Sequence, residues 1–326
     1  MTFNSLSGQQ ELRRMLTGAL AADKLSHAIV LAGPSGSGKK SWGKALSQAI
    51  LCAKRSGAEP CMQCFSCHSF CSGNHSDYFF LEPDGRRIKI EQIRSIKNNF
   101  YLSGSKKVCL IDRAEMMTAE TSSSLLKILE EPPVGLYFIL LAEQPLLLFD
   151  TILSRCQCYM LQPLKYAEII ELLTRERNMA MEQASLLAHL SGGLPGNAYK
   201  LADDDQFADR FTEAKIMAGN LAFGRDSALQ LLSQAVSLAE REDLIPFLEL
   251  VCLFYRDRLI QNFCSRGEQL INSDQSSAWV EVVSPTGLEE AVLMINAAIC
   301  EIKSTNVNRR LLLEKTLIML QRRLTK

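Results

Sequence analysis

Two periods of apolar residues alternate along the first half of this chain. Leu12, Met15, Leu16, Ala19 and Leu20 recur at helical spacing and predict a helix over 9–23. His27 to Ala32 is a short apolar run with the length of a buried strand. From Ser41 to Leu51 the helical period returns, with Trp42, Ala45, Leu46 and Ile50 on one side. Further strands are expected over 77–82, 107–112, 137–142 and 154–161. Helices are expected over 90–100 and 115–131, the second stopped by Pro132-Pro133. Strands alternating with helices imply a parallel sheet covered on both faces. After Pro163 the strand pattern ends. Three short helices are expected over 166–178, 181–191 and 195–202, then an acidic boundary at Asp203-Asp204-Asp205 and helix throughout the remainder. The last helix carries Leu313, Leu317, Leu320 and Leu324 on one face. The expected division is an α/β domain over 1–163, a small helical domain over 164–205 and an all-α domain over 206–326.

Composition narrows the function. Basic and acidic residues balance at 36 each, so any nucleic-acid contact must use a local patch. The first residues lack a basic segment followed by an apolar one, and no apolar run is long enough to span a bilayer. A cytoplasmic protein without membrane partners is expected. Eleven cysteines then read as reduced thiols or metal ligands, not disulfides.

The strand over 27–32 runs into Gly33-Pro34-Ser35-Gly36-Ser37-Gly38-Lys39, and a helix follows. Strand, glycine loop and helix are the setting of a phosphate-binding loop. Backbone N–H groups around Gly36 and Gly38 would cradle phosphates at the helix N-terminus, and Lys39 would reach the β/γ-phosphates. The next residue is normally a Ser or Thr that ligates Mg²⁺; here it is Lys40, and Ser41 comes about 100° further round the helix. Asp112 ends an apolar strand, where an acid can hold Mg²⁺ through water or cap the next helix. The residue after it is Arg113, which cannot act as a base, and Glu115 is expected to face elsewhere. The loop is therefore either an ATP/Mg²⁺ site or a strand-to-helix turn without nucleotide.

Cys52, Cys61, Cys64 and Cys67 form a C-x8-C-x2-C-x2-C run within 52–71. Four thiolates so closely spaced suit a closed, structural zinc site. Cys71, His68 and His75 compete for the fourth position. Cys109, Cys156 and Cys158 fall in expected strands and read as core; Cys252, Cys264 and Cys300 have no metal spacing. Arg155 stands at an expected strand start, where an arginine is ordinarily a solvated surface residue.

Taken in order, Gly8-Gln9, His27-Ala28, the glycine loop, the cysteine run, the segment Leu125 to Pro133 and Ser154-Arg155-Cys156 resemble the bacterial clamp-loader subunits of DNA polymerase III. These are AAA+ proteins with an α/β domain, a helical lid and a helical collar. Gly192 to Ala198 is similar to the lid motif, and Asn306 to Leu311 to the collar's final helix. Motor subunits (gamma/tau) keep a Thr or Ser after the loop lysine, an acid after the strand-end Asp and a sensing Arg in the lid. This chain has Lys40, Arg113 and Asn197 instead, and Ala142-Glu143-Gln144-Pro145 supplies no hydroxyl sensor. The sequence is also expected to lack the extension that distinguishes tau. Those departures resemble the delta-prime, or stator, branch.

The resemblance implies a polymerase III holoenzyme component without independent catalysis. Its partners would be the gamma/tau and delta subunits and, through the complex, the sliding clamp and primed DNA. Arg155 would serve as an arginine finger in a neighbour's ATP site. The alternatives are an ATP-hydrolysing motor of the same family and a P-loop small-molecule kinase.

Overall fold

A computed structural model describes residues 2–101, 106–263, 283–305 and 307–325, so Cys264 and Asn306 lie outside the described residues. The chain divides into two compact units, 1–200 and 201–326.

Five parallel strands form the first unit's sheet: β1 (Ala28–Ala32), β2 (Tyr78–Leu81), β3 (Lys107–Ile111), β4 (Leu136–Ala142) and β5 (Gln157–Met160). Their spatial order is β2-β3-β4-β1-β5. Helices α1 (Gln10–Ala21) and α2 (Lys39–Leu51) cover one face; α4 (Ile90–Phe100) and α5 (Ala119–Glu130) cover the other. The short helix α3 (Phe65–Cys71) lies in the cysteine segment.

Alternate strand residues point to opposite faces. Val30, Cys109, Ile111, Phe138 and Leu140 pack with Ile93, Leu125, Ile128 and Leu129. Ile29, Leu31, Val108, Leu110, Ile139 and Leu141 pack with Leu12, Leu16, Trp42 and Leu46. Both faces are buried, which is why the inner strands read as unbroken apolar runs. The order places β1 between β4 and β5, so the carboxyl ends of β1, β4 and β3 open side by side where the strand order reverses. Ligand crevices of open α/β sheets form at such switch points.

Three local expectations need correction. The helix expected from Glu115 begins at Ala119, because Thr118 accepts the Thr121 N–H at 3.2 Å and caps it. A single 3-10 turn, Ala114–Met116, precedes it. The strand expected over 154–161 is shorter: α6 (Asp150–Leu153) occupies the approach, and Arg155 sits in the turn between α6 and β5. Cys109 is core and the half-buried Cys156 packs against that core, whereas Cys158, expected in the core, is exposed. The helices α7 (Tyr166–Arg177), α8 (Met181–Leu190) and α9 (Pro195–Ala202) follow the sheet.

The second unit is helical among its described residues: α10 (Phe207–Ala222), α11 (Ala228–Ala239), α12 (Leu244–Phe263), α13 (Pro285–Ser304) and α14 (Arg309–Leu324). The leucine stripe of α14 is buried within this unit, with Leu313, Leu317, Leu320 and Leu324 all 2% exposed or less. Each contributes about 1.5–3 kcal/mol of burial. Arg210 bridges Asp204 at 2.8 Å and Asp243 at 2.5 Å, while Arg241 bridges Asp243 at 2.9 Å and Glu213 at 2.7 Å.

Candidate nucleotide and metal sites

The glycine loop joins β1 to α2. Gly36 and Gly38 have φ of 82° and 91°, left-handed values that let the backbone curl and start α2 at Lys39. The Lys39 ammonium donates to the carbonyls of Gly33 at 2.7 Å and Pro34 at 3.0 Å. Burial lowers its pKa, against the opposing pull of Glu143, Glu115 and Asp112. A cavity of 290 Å³ beside the loop is lined by Ser35, Gly36, Gly38, Lys39, Lys40, Asp112, Arg113, Glu115, Leu141, Glu143 and Gly196. A second, of 260 Å³, contains Ser37, Ser41, Leu6, Trp42, Leu172 and Tyr199 in its walls, and shares Gly38 and Gly196 with the first.

Lys40 reaches across to the end of β3. Its ammonium lies 3.3 Å from Asp112 Oδ2, 3.5 Å from Glu82 Oε2 and 4.5 Å from the centroid of the Phe80 ring. A Mg²⁺ ion does not fit this arrangement. Position 40 offers no hydroxyl, Ser41 faces the other cavity, and the carboxylate that would hold the ion already faces an ammonium. Glu115 does not face elsewhere. Arg113 takes a left-handed φ of 51°, the 3-10 turn follows, and Glu115 Oε1 comes to accept the Glu143 N–H at 3.4 Å. Glu115 therefore lines the phosphate-side cavity, a placement that spacing along a straight strand could not reveal.

Helix α9 closes over the loop. The Gly196 N–H donates to Gly36 O at 2.8 Å, and a Cβ on Gly196 would meet Gly36 Cα at 2.8 Å. Asn197 Oδ1 is equally close to the loop, 3.0 Å from where a Cβ on Gly36 would sit.

The sulfurs of Cys52, Cys61, Cys64 and Cys67 all lie within 4.8 Å of one another. Cys52–Cys64 and Cys61–Cys67 are each 4.0 Å apart. Tetrahedral coordination at Zn–S near ~2.3 Å requires S···S near ~3.8 Å, so the four could hold a metal ion of that kind. Backbone N–H groups point at the sulfurs, from Cys61 to Cys52, Cys64 to Cys61 and Cys67 to Cys64. Burial, with the Cys52 and Cys64 thiols, pushes Cys67 up to about 12. Burial also opposes ionisation of Cys64, but the N–H groups of Cys67 and Ala53 and the neighbouring thiols outweigh it and bring it down to about 6. The competitors are placed otherwise: Cys71 accepts from Gln48, His75 pairs with Ser66, and His68 is exposed.

Arg155 Nη2 is 2.7 Å from Glu130 Oε1, and its Nη1 donates to Thr151 O at 3.0 Å. The two charged side chains are 37% and 45% exposed. Because all strands run parallel, Arg155, just before β5, stands at the opposite end of the sheet from the glycine loop that follows β1.

Sheet order, glycine loop, strand-end acid and closing helices define a P-loop domain of the AAA+ class, followed in the chain by a helical unit. A family model described as DNA polymerase III, delta subunit, matches residues 8–165. The DNA polymerase III subunit delta′ of Yersinia pestis is 30% identical over 321 residues, 94% of this chain and 92% of that protein. The chain belongs to the delta′ subunit family of DNA polymerase III. Bacillus subtilis delta′ is 37% identical over 212 residues, 64% of this chain; the match spans 63% of that relative's length. Subunit tau of Bacillus subtilis is 29% identical over 240 residues, 73% of this chain and 38% of that protein. No helix among the described residues is long and apolar enough to cross a membrane.

Proposed function

We propose that this chain is the stator of a DNA polymerase III clamp loader. It braces ATP-driven loading of the sliding clamp onto primed DNA beside gamma/tau and delta subunits in the cytoplasm. Residues 1–163, 164–205 and 206–326 act as α/β domain, lid and collar, and the collar carries assembly. Since α14 buries its leucine stripe within the unit, assembly falls to exposed residues such as Ile216, Leu229, Leu293 and Leu311. A structural Zn²⁺ on Cys52, Cys61, Cys64 and Cys67 braces 52–71, since four protein ligands leave no open position for catalysis. The chain does not hydrolyse ATP by itself: Lys40 occupies the place of a metal-ligating hydroxyl, and Arg113 that of a base.

One observation carries the reading of Arg155. It stands half-exposed at the sheet end remote from its own glycine loop, so a phosphate it served would belong to a neighbour. There it would stabilise developing charge on the γ-phosphate, an effect of ~10³–10⁵ in GTPase examples. Arg155→Ala is expected to leave assembly intact and to depress both the DNA- and clamp-stimulated ATPase and the loading rate of the reconstituted complex. Equal rates for fully assembled mutant and wild-type complexes would rule the finger out.

A further inference from the structure

Asp112 already faces a cation. The Lys40 ammonium sits 3.3 Å from it, braced by Glu82 and the Phe80 ring, where a P-loop site would ordinarily gather its metal. We propose that this site takes a nucleoside polyphosphate without a divalent cation, with the Lys40 and Arg113 side chains supplying the two positive charges that one Mg²⁺ would bring. The proposal rests on the phosphate-loop reading of Gly33–Lys39 and is independent of the stator role.

Charge in the cavity decides between this and the ordinary arrangement. Its lining carries three basic side chains, Lys39, Lys40 and Arg113, against three acidic ones, Asp112, Glu115 and Glu143. Without Lys40 and Arg113 the count would be one against three, a net −2 that repels a polyphosphate unless a metal ion enters with it. With them the lining is neutral, and loop N–H groups at the start of a thirteen-residue helix tip the balance towards an anion. A Mg²⁺ drawn to Asp112 would have to displace the ammonium or sit against it. The base side is also prepared. The adjoining cavity has Trp42 and Tyr199 in its walls.

The test is a titration of the full chain with a fluorescent ADP analogue. It is run in buffer freed of divalent ions over a chelating resin, then in the same buffer with Mg²⁺. Resin treatment before protein is added spares any metal on the cysteine cluster. Wild type is expected to bind with dissociation constants within about twofold in the two buffers. Lys39→Ala should weaken binding by about tenfold in both. Lys40→Thr supplies the missing hydroxyl and frees Asp112, so Mg²⁺ should tighten its binding by about tenfold or more. Lys40 is half-exposed, and the wild-type comparison needs no variant to fold. The proposal is overturned by wild-type binding that requires Mg²⁺ by tenfold or more, or by no saturable binding in either buffer. Neither result touches the Arg155 experiment, so failure of this inference and failure of the stator reading can be told apart.

Discussion

Stripping the metal from the cysteine cluster is expected to melt residues 53–71 while leaving the sheet folded. That segment has nineteen residues, and only Pro60 and Cys67 are buried. Fixing their backbone costs about 1 kcal/mol per residue at the low end, or about 20 kcal/mol. Two buried side chains return about 2 kcal/mol each. A structural zinc supplies roughly 10–16 kcal/mol in peptides of comparable size, which brings the two sides within a few kcal/mol. The sheet has no such dependence, since β1, β3 and β4 are buried on both faces by other helices. Hydrogen exchange read by mass spectrometry, before and after removal of zinc with a chelator, measures both regions together. Amides of 53–71 should lose protection, and those of 28–32, 107–111 and 136–142 should keep it. Cys67→Ala should reproduce the metal-free pattern. Binding should also weaken as pH falls, because the metal must displace thiol protons. Unchanged protection of 53–71 in metal-free protein would refute the reasoning.

Two further outcomes test other parts of the fold. Gly196→Ala sets a Cβ 2.8 Å from Gly36 Cα, backbone that cannot turn aside, and should destabilise the first unit by about 1–3 kcal/mol; equal thermal midpoints would show that α9 moves away freely. In the second unit, hydrogen bonds from Arg241 and Arg210 hold Asp243 down to about 2. A depressed carboxylate contributes stability above its unfolded value, and loses it as pH falls through the folded one. Acid unfolding should therefore show that contribution fading between roughly pH 4 and pH 2, and Asp243→Asn should remove the step; identical acid curves would discount the cluster.

What could be read from sequence was local or carried by short spacing. The strand, glycine loop and helix at 28–51 were legible because one continuous segment makes them. Cys52, Cys61, Cys64 and Cys67 were legible because tight turns bring neighbours at x2 spacing together. The Lys40–Asp112 pair joins residues 72 positions apart, and only the β3-β4-β1 order brings them near. Glu115 was misread because Arg113 adopts a left-handed conformation that no hydrophobic period records. Arg155 was set on a strand because Cys156 to Leu161 looks extended, whereas Asp150–Leu153 supplies a turn of helix too short for a periodic signal.

The central position of β1 also bears on how the chain must be made. Ala28 pairs with Phe138 and Ile29 with Gln157, so both neighbours of β1 are encoded more than a hundred residues after it. At ~5–20 residues per second, a ribosome takes roughly 5–25 s to deliver them. During that interval Ala28–Ala32, apolar on both sides, has no strand beside it. An N-terminal fragment ending before Leu136 would keep both edges of β1 open for as long as it lasted, a ready template for pairing with other chains. Truncation within the first 135 residues should therefore yield aggregate and not a smaller folded unit, and the nascent chain's greatest need for a chaperone falls before the phosphate loop has a sheet to stand on.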